Sequence, residues 1–167
     1  IVIAPPETAL ARTIKAGLKR DMSEAGRGSK FDDALKLYYF YGARHFEPLW
    51  LDEQPDGTIA WAPNAQKIID AFGKAAYSGL DPADYLDPAF ETAPSAGDPV
   101  ALSHLETAFS DAALRFAEHL HSGRLDPSRV SSDISDAPHR IDATATLMEL
   151  AASDDPAALY QNLEPQH

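Results

Sequence analysis

The stretch DPVALSHLETAFSDAALRFAEHLHSGRLDP, residues 98–127, decides the fold. Leu102, Leu105, Phe109, Ala112, Phe116 and Leu120 recur at steps of three and four. That spacing lays side chains along one stripe of an α-helix. Asp98 can cap the start, and Pro99 suits the first helical position, where its missing N–H costs nothing. Gly123 is the expected left-handed stop. Leu114 lies off the stripe, which points to a second buried face. The stretch predicts a central helix against which other helices pack, and it carries no reaction chemistry of its own.

Working outward, the chain has 167 residues, a length that suits one domain over 1–167. With 44% hydrophobic residues, it can build a core without covalent staples. It has no cysteine, which excludes disulfides, thiolate metal sites and a cysteine nucleophile within it. Its formal net charge of −12 repels phosphate backbones, so no nucleic-acid partner is expected. Lys15, Lys19 and Arg20 read as the solvated face of a helix. No apolar run reaches the roughly 18 residues of a membrane span, and no secretory signal pattern is visible. The chain opens on Ile1, so the expectation is a processed chain or a piece of a longer protein.

Before the central helix, Thr8 is a possible cap, and Leu10, Ile14, Leu18 and Met22 repeat every four residues. Gly17 weakens that helix by about 1 kcal/mol relative to alanine. Ser29 is expected to begin a second helix, with Asp32 completing a shortened capping box. Phe31, Leu35, Tyr38, Gly42 and Phe46 would make one face, and Pro48 would stop it. A small hairpin then runs from Leu49-Trp50-Leu51-Asp52 through the Asp56-Gly57 turn to Thr58-Ile59-Ala60-Trp61. Pro63 starts a third helix, with Ile68, Ile69, Phe72, Ala75 and Ala76 on its apolar side, ending at Gly79. Asp81 caps the next helix, with Pro82 in its first turn, and the same device recurs at Asp126-Pro127. Residues 87–98 and 128–139 read as irregular. Asp142 caps a helix with Leu147, Met148, Leu150 and Ala151 as its apolar set. Asp155-Pro156 opens a last short helix carrying Leu159, Tyr160 and Leu163. The predicted class is all-α, with one hairpin near 49–61.

Chemistry is sparse. Glu118-x-x-His121 matches one half of a di-metal carboxylate pattern, but the second half, Glu164 to His167, contains Pro165. His119 and His121 leave opposite sides of a helix, and their stronger reading is a favourable interaction with the helix C-terminus. No metal or cofactor is expected. Asp111 and Arg115 make a surface ion pair. Arg44 has two open roles: holding a carboxylate ligand, or tying the helix end to the hairpin through carbonyls; the second is preferred. Arg124 carries the same ambiguity. Arg44, Trp50 and Arg124 are therefore the binding candidates. No nucleophile elbow or phosphate loop is present. Spacing alone nominates no carboxylate pair for glycoside cleavage.

Three blocks together resemble a known family. They are Phe40-Tyr41-Gly42-Ala43-Arg44-His45-Phe46-Glu47-Pro48-Leu49-Trp50; Gly79-Leu80-Asp81-Pro82-Ala83-Asp84-Tyr85; and Leu114-Arg115-Phe116-Ala117-Glu118-His119-Leu120 running into Gly123-Arg124-Leu125-Asp126-Pro127. Their order and spacing resemble the helical scaffold domain of the large murein L,D-transpeptidases of Gram-negative bacteria. The likeness spans roughly residues 31–167 and leaves the first thirty aside. It implies a periplasmic location and, in the parent protein, a peptidoglycan-binding module and a catalytic domain with a Ser-His-Gly-Cys-type motif. This chain carries no such motif, so no catalytic residue is transferred to it. The matched positions Arg44, Trp50, Asp81, Pro82, Arg124, Asp126 and Pro127 read as caps, anchors and corners.

The first expectation is a non-catalytic scaffold whose partners are the catalytic and peptidoglycan-binding domains of the same chain. A free-standing periplasmic protein that binds peptidoglycan or a cell-envelope enzyme is the first alternative. A murein hydrolase with a carboxylate pair is the second, and release of soluble muropeptides by this chain alone would mark it.

Overall fold

Six α-helices and one hairpin order the residues that the computed structural model describes, namely 2–92, 94, 98–122 and 141–164. In chain order they are α1 (Ala9–Ala25), α2 (Ser29–Gly42), β1 (Leu51–Glu53), β2 (Ile59–Trp61), α3 (Pro63–Gly73), α4 (Pro99–Ser122), α5 (Ala143–Ala152) and α6 (Pro156–Leu163). Three short 3-10 turns, at Ala75–Ser78, Pro82–Asp84 and Pro88–Glu91, bridge α3 to α4. The mostly helical class predicted from the pattern is the class observed. Gly123, Arg124, Asp126, Pro127 and the irregular stretch 128–139 lie outside the described residues, as does Pro165.

α4 is the hub, in contact with α1, α2, α5 and α6. Asp98 Oδ1 accepts from the Val100 amide at 3.0 Å, so the expected cap forms. Leu102, Phe109, Ala112, Phe116 and Leu120 are buried, and so is Leu114 on the second face. The caps at Thr8, Asp81, Asp142 and Asp155 also form, each side chain accepting an amide of its first turn. The Pro82 turn is a single 3-10 turn rather than a full helix.

Gly17 has a packing reason. A Cβ at that position would lie 2.7 Å from Ser103 Oγ, so glycine lets α1 approach α4 closely. Gly42 admits Ile3 of the N-terminal segment rather than a second helix; a Cβ there would meet Ile3 Cδ1 at 2.6 Å.

α2 departs from its pattern in three ways. Its N-cap is Gly28, and no side chain bonds the end; Ser29 is already helical, so the expected capping box is absent. Its deep face is Ala34, Leu37, Phe40 and Tyr41, while Phe31, Leu35 and Tyr38 are only half-buried. Aromatics around the whole helix left its orientation ambiguous, and the packing of α1 and α4 selects the face. It ends at Gly42, well before Pro48. His45 and Phe46 then take left-handed backbone angles, φ 59° and 57°. Such angles are uncommon outside glycine. The Phe46 amide donates to the Tyr41 carbonyl at 2.7 Å, and its ring is fully buried, which together hold the turn.

The hairpin forms as expected, antiparallel, with Leu51 opposite Trp61 and Glu53 opposite Ile59. Asp56 accepts both the amide and the hydroxyl of Thr58, and these bonds lower its carboxyl pKa. α3 ends at Gly73, and a 3-10 turn carries the chain to a left-handed Gly79. Ala75 is buried but Ala76 is exposed, because the tighter turn rotates it outward. Met148, expected in the apolar set of α5, is also exposed, while Leu147 and Leu150 are buried. Asn64 Nδ2 donates to the carbonyls of Leu150 and Ala151, answering groups that a helix end leaves unpaired.

Candidate functional site

The central helix carries a carboxylate where its pattern asks for a hydrophobe. Glu106 lies four residues after Leu102 and three before Phe109, and it is fully buried. A buried charge is costly unless hydrogen bonds replace its water. Here three groups converge on it. The Leu49 amide donates to Oε1 at 2.5 Å, the Trp50 amide donates to Oε2 at 3.1 Å, and the Tyr41 hydroxyl donates to Oε1 at 2.8 Å. One turn further along α4, Ser110 Oγ accepts the Trp50 indole N–H at 2.8 Å and lies 2.6 Å from the Tyr41 hydroxyl. Among the described residues, no buried side-chain nitrogen or oxygen is left without a partner.

The left-handed pair His45–Phe46 explains how these donors arrive. It turns the chain after α2 so that the Leu49 and Trp50 amides face Glu106 on α4. The result is a strap, residues 43–50, fastened to the central helix by Glu106 and Ser110. Burial pushes the Glu106 carboxyl up to about 7, against the pull of the Leu49, Tyr41 and Trp50 hydrogen bonds and the Arg44 charge. Burial likewise pushes the Tyr41 hydroxyl well above its ordinary value, and the neighbouring Glu106 charge adds to it.

A second polar cluster lies on the open side of α4. Asp111 and Arg115 pair at 3.0 Å, each less than half exposed. Arg115 also donates to the Asp84 carbonyl at 2.8 Å and lies over the Tyr85 ring, 5.9 Å from its centroid. The Tyr85 hydroxyl is 2.6 Å from His119 Nδ1. The expected surface pair is therefore also a tie between α4 and the Pro82 turn. Burial raises the Asp111 pKa although Arg115 opposes it; nearby Asp33 raises it further. Beside it, an open groove of about 690 Å³ runs between α1, α2 and α4, with Asp21, Glu24, Lys30, Asp33, His104 and Arg115 among its walls. Burial also raises Asp21.

The binding candidates fall as follows. Trp50 is fully enclosed, packed on Phe109 with centroids 5.1 Å apart. Arg44 is half-buried; its Nε donates to the Glu47 carbonyl at 3.2 Å, its guanidinium lies 6.0 Å from the Phe40 centroid, and Nη1 is 4.0 Å from Met148 Sδ. Arg124 lies outside the described residues. Glu118 and His119 are exposed, and the described residues contain no His, Asp and Glu group able to hold a metal. Sequence reasoning missed Glu106, Tyr41 and Ser110 as a set. The signal was present: Leu102, Glu106, Phe109 and Ala113 share one helical face, and a carboxylate among hydrophobes there needs donors.

The three blocks quoted from the sequence meet through one chain of rings. Trp50 contacts Phe109 at 5.1 Å and Phe109 contacts Phe72 at 6.0 Å. Phe72 contacts Phe116 at 5.4 Å and Phe116 contacts Tyr85 at 4.9 Å. Edge and tilted contacts at these separations are favourable beyond the area they bury. Fold and site thus define a helical scaffold in which the polar groups of highest burial hold elements together. A comparison with protein families agrees: the family model for a Scaffold domain matches residues 36–167, and the chain belongs to that family. Comparison with curated proteins finds no match, and comparison with solved structures finds none either.

Proposed function

We propose that this chain is the non-catalytic helical scaffold of a peptidoglycan L,D-transpeptidase, acting in the periplasm as one domain. Its partners are the catalytic cysteine domain and the murein-binding module of the same parent protein, which it holds in a fixed relation. The reading rests on the resemblance of the three sequence blocks to that family's scaffold, and membership of the Scaffold domain family supports it at the coarser level.

The observation that carries it is the ring chain from Trp50 to Tyr85. Among the described residues, the blocks that resemble the transpeptidase scaffold converge on one packed joint rather than on a cleft with converging reactive groups. Residues that cap, anchor or fasten suit a domain whose task is to position others.

The natural open reading frame tests the proposal directly. A cysteine-bearing domain in the same frame is expected, and the product of that frame should form new cross-links between stem peptides in isolated sacculi. A frame without such a domain, or a product that forms no cross-links, overturns it.

A further inference from the structure

We propose that residues 2–7 are a removable clasp: seated, they hold the 43–50 strap shut on the central helix, and lifted, they free the strap while the rest of the bundle stays folded. The proposal does not depend on the transpeptidase reading. It starts from the strap's weakest point, the consecutive left-handed angles of His45 and Phe46. Two such residues in a row, neither of them glycine, persist only where their surroundings over-determine them.

The N-terminal segment supplies part of that restraint. The Ala4 amide donates to the Gly42 carbonyl at 2.7 Å, just before the turn. His45 Nδ1 lies 2.8 Å from the Pro5 carbonyl. A carbonyl only accepts, so Nδ1 carries the proton and donates it. The Glu7 carboxylate stands 3.8 Å from the same nitrogen. Among the described residues, Pro5 and Glu7 are the only polar partners of the His45 side chain. A Cβ on Gly42 would meet Ile3 Cδ1 at 2.6 Å and Phe46 Cζ at 3.4 Å, so Ile3 and the Phe46 ring share the space that glycine leaves. The segment thus grips the first left-handed residue by its side chain and packs beside the second.

This outer grip is light beside the inner one. Pro5 and Pro6 have no N–H to donate, and Val2, Pro5 and Glu7 are exposed. Glu106 and Ser110, which hold the strap from within, have no exposed surface. A lightly held terminal segment opens at lower free energy than a packed core. Once it lifts, His45 loses its polar partners and its angle can relax. Phe46 keeps Lys15 of α1 and Tyr38 of α2, at 5.4 and 5.3 Å, so the bundle stays closed behind the strap. The family match begins at residue 36, so the strap lies inside the matched region and the clasp outside it. A segment beyond that region thereby controls one of its elements.

The test is amide hydrogen exchange at one pH, comparing the full chain with one lacking residues 1–7. The Leu49 and Trp50 amides are expected to lose about tenfold in protection. Ala112 and Ala113, in the middle of α4, should keep theirs. Ile3→Ala, which leaves the start of α1 untouched, should cost the same two strap amides about threefold. Unchanged strap protection in both variants overturns the clasp. An equal loss at Ala112 and Ala113 also overturns it, because the segment would then stabilise the whole bundle. Where the shortened chain does not fold, Ile3→Ala alone decides.

Discussion

Glu106 and Ser110 stand four residues apart on α4, and so do Asp111 and Arg115, yet the two pairs have opposite fates. The first is roofed by Trp50 and Tyr41 and sees no water. The second faces an open groove with both side chains more than 40% exposed. Spacing is the same on both sides of the helix. What differs is the cover: a strap with two left-handed residues closes over one side, and α1 and α2 leave a gap over the other. Residue type therefore does not decide whether a polar pair is sealed from water or left partly open to it. The neighbour that seals it does, because an unmet hydrogen bond is expensive only where water cannot replace it.

Breaking the sealed side should cost most. Trp50→Ala removes the roof, the indole bond to Ser110 and the contact with Phe109, and should destabilise the chain by about 3–5 kcal/mol in urea unfolding. Glu106→Ala strands the Leu49 and Trp50 amides, while the Tyr41 hydroxyl keeps Ser110 as a partner, for an expected loss of about 3 kcal/mol. A loss below about 1 kcal/mol would mean that the strap is held by packing instead.

The pH dependence of stability sharpens the comparison. The folded Glu106 pKa is raised above its unfolded value, so its contribution is fully present below about pH 4.5 and is lost as pH rises through about 7. The native chain should lose about 1 kcal/mol between pH 6 and pH 8 relative to Glu106→Gln, read from denaturant midpoints at each pH. A difference of the opposite sign would show that the hydrogen bonds outweigh the burial.

On the open side the smallest effect is expected. Asp111→Ala should change stability by less than about 0.5 kcal/mol, and added salt should shrink the change further. A cost approaching that of Glu106→Ala would erase the distinction between the two sides.

Much of this was legible in the chain itself. Asp98-Pro99, Asp81-Pro82, Asp142 and Asp155-Pro156 marked their turns correctly because a cap acts within three residues, over distances the sequence fixes. The stripe of α4 and the hairpin turn at Asp56-Gly57 were legible for the same local reason. One local signal failed, the Ser29–Asp32 box, because the helix already includes Ser29; the other misplaced features were of another kind. The buried face of α2, its early end at Gly42 and the outward turn of Met148 depend on which neighbours arrive. An aromatic-rich helix has several faces that could be buried, and only packing chooses one. The candidate joint divides in the same way. The sequence determined that an all-α scaffold would form around residues 99–122, and it placed a carboxylate within that helix's apolar side. Only the tertiary structure decided that Glu106 would be satisfied by Leu49, Trp50 and Tyr41, because donors more than fifty residues distant meet it through a backbone turn that no local pattern announces.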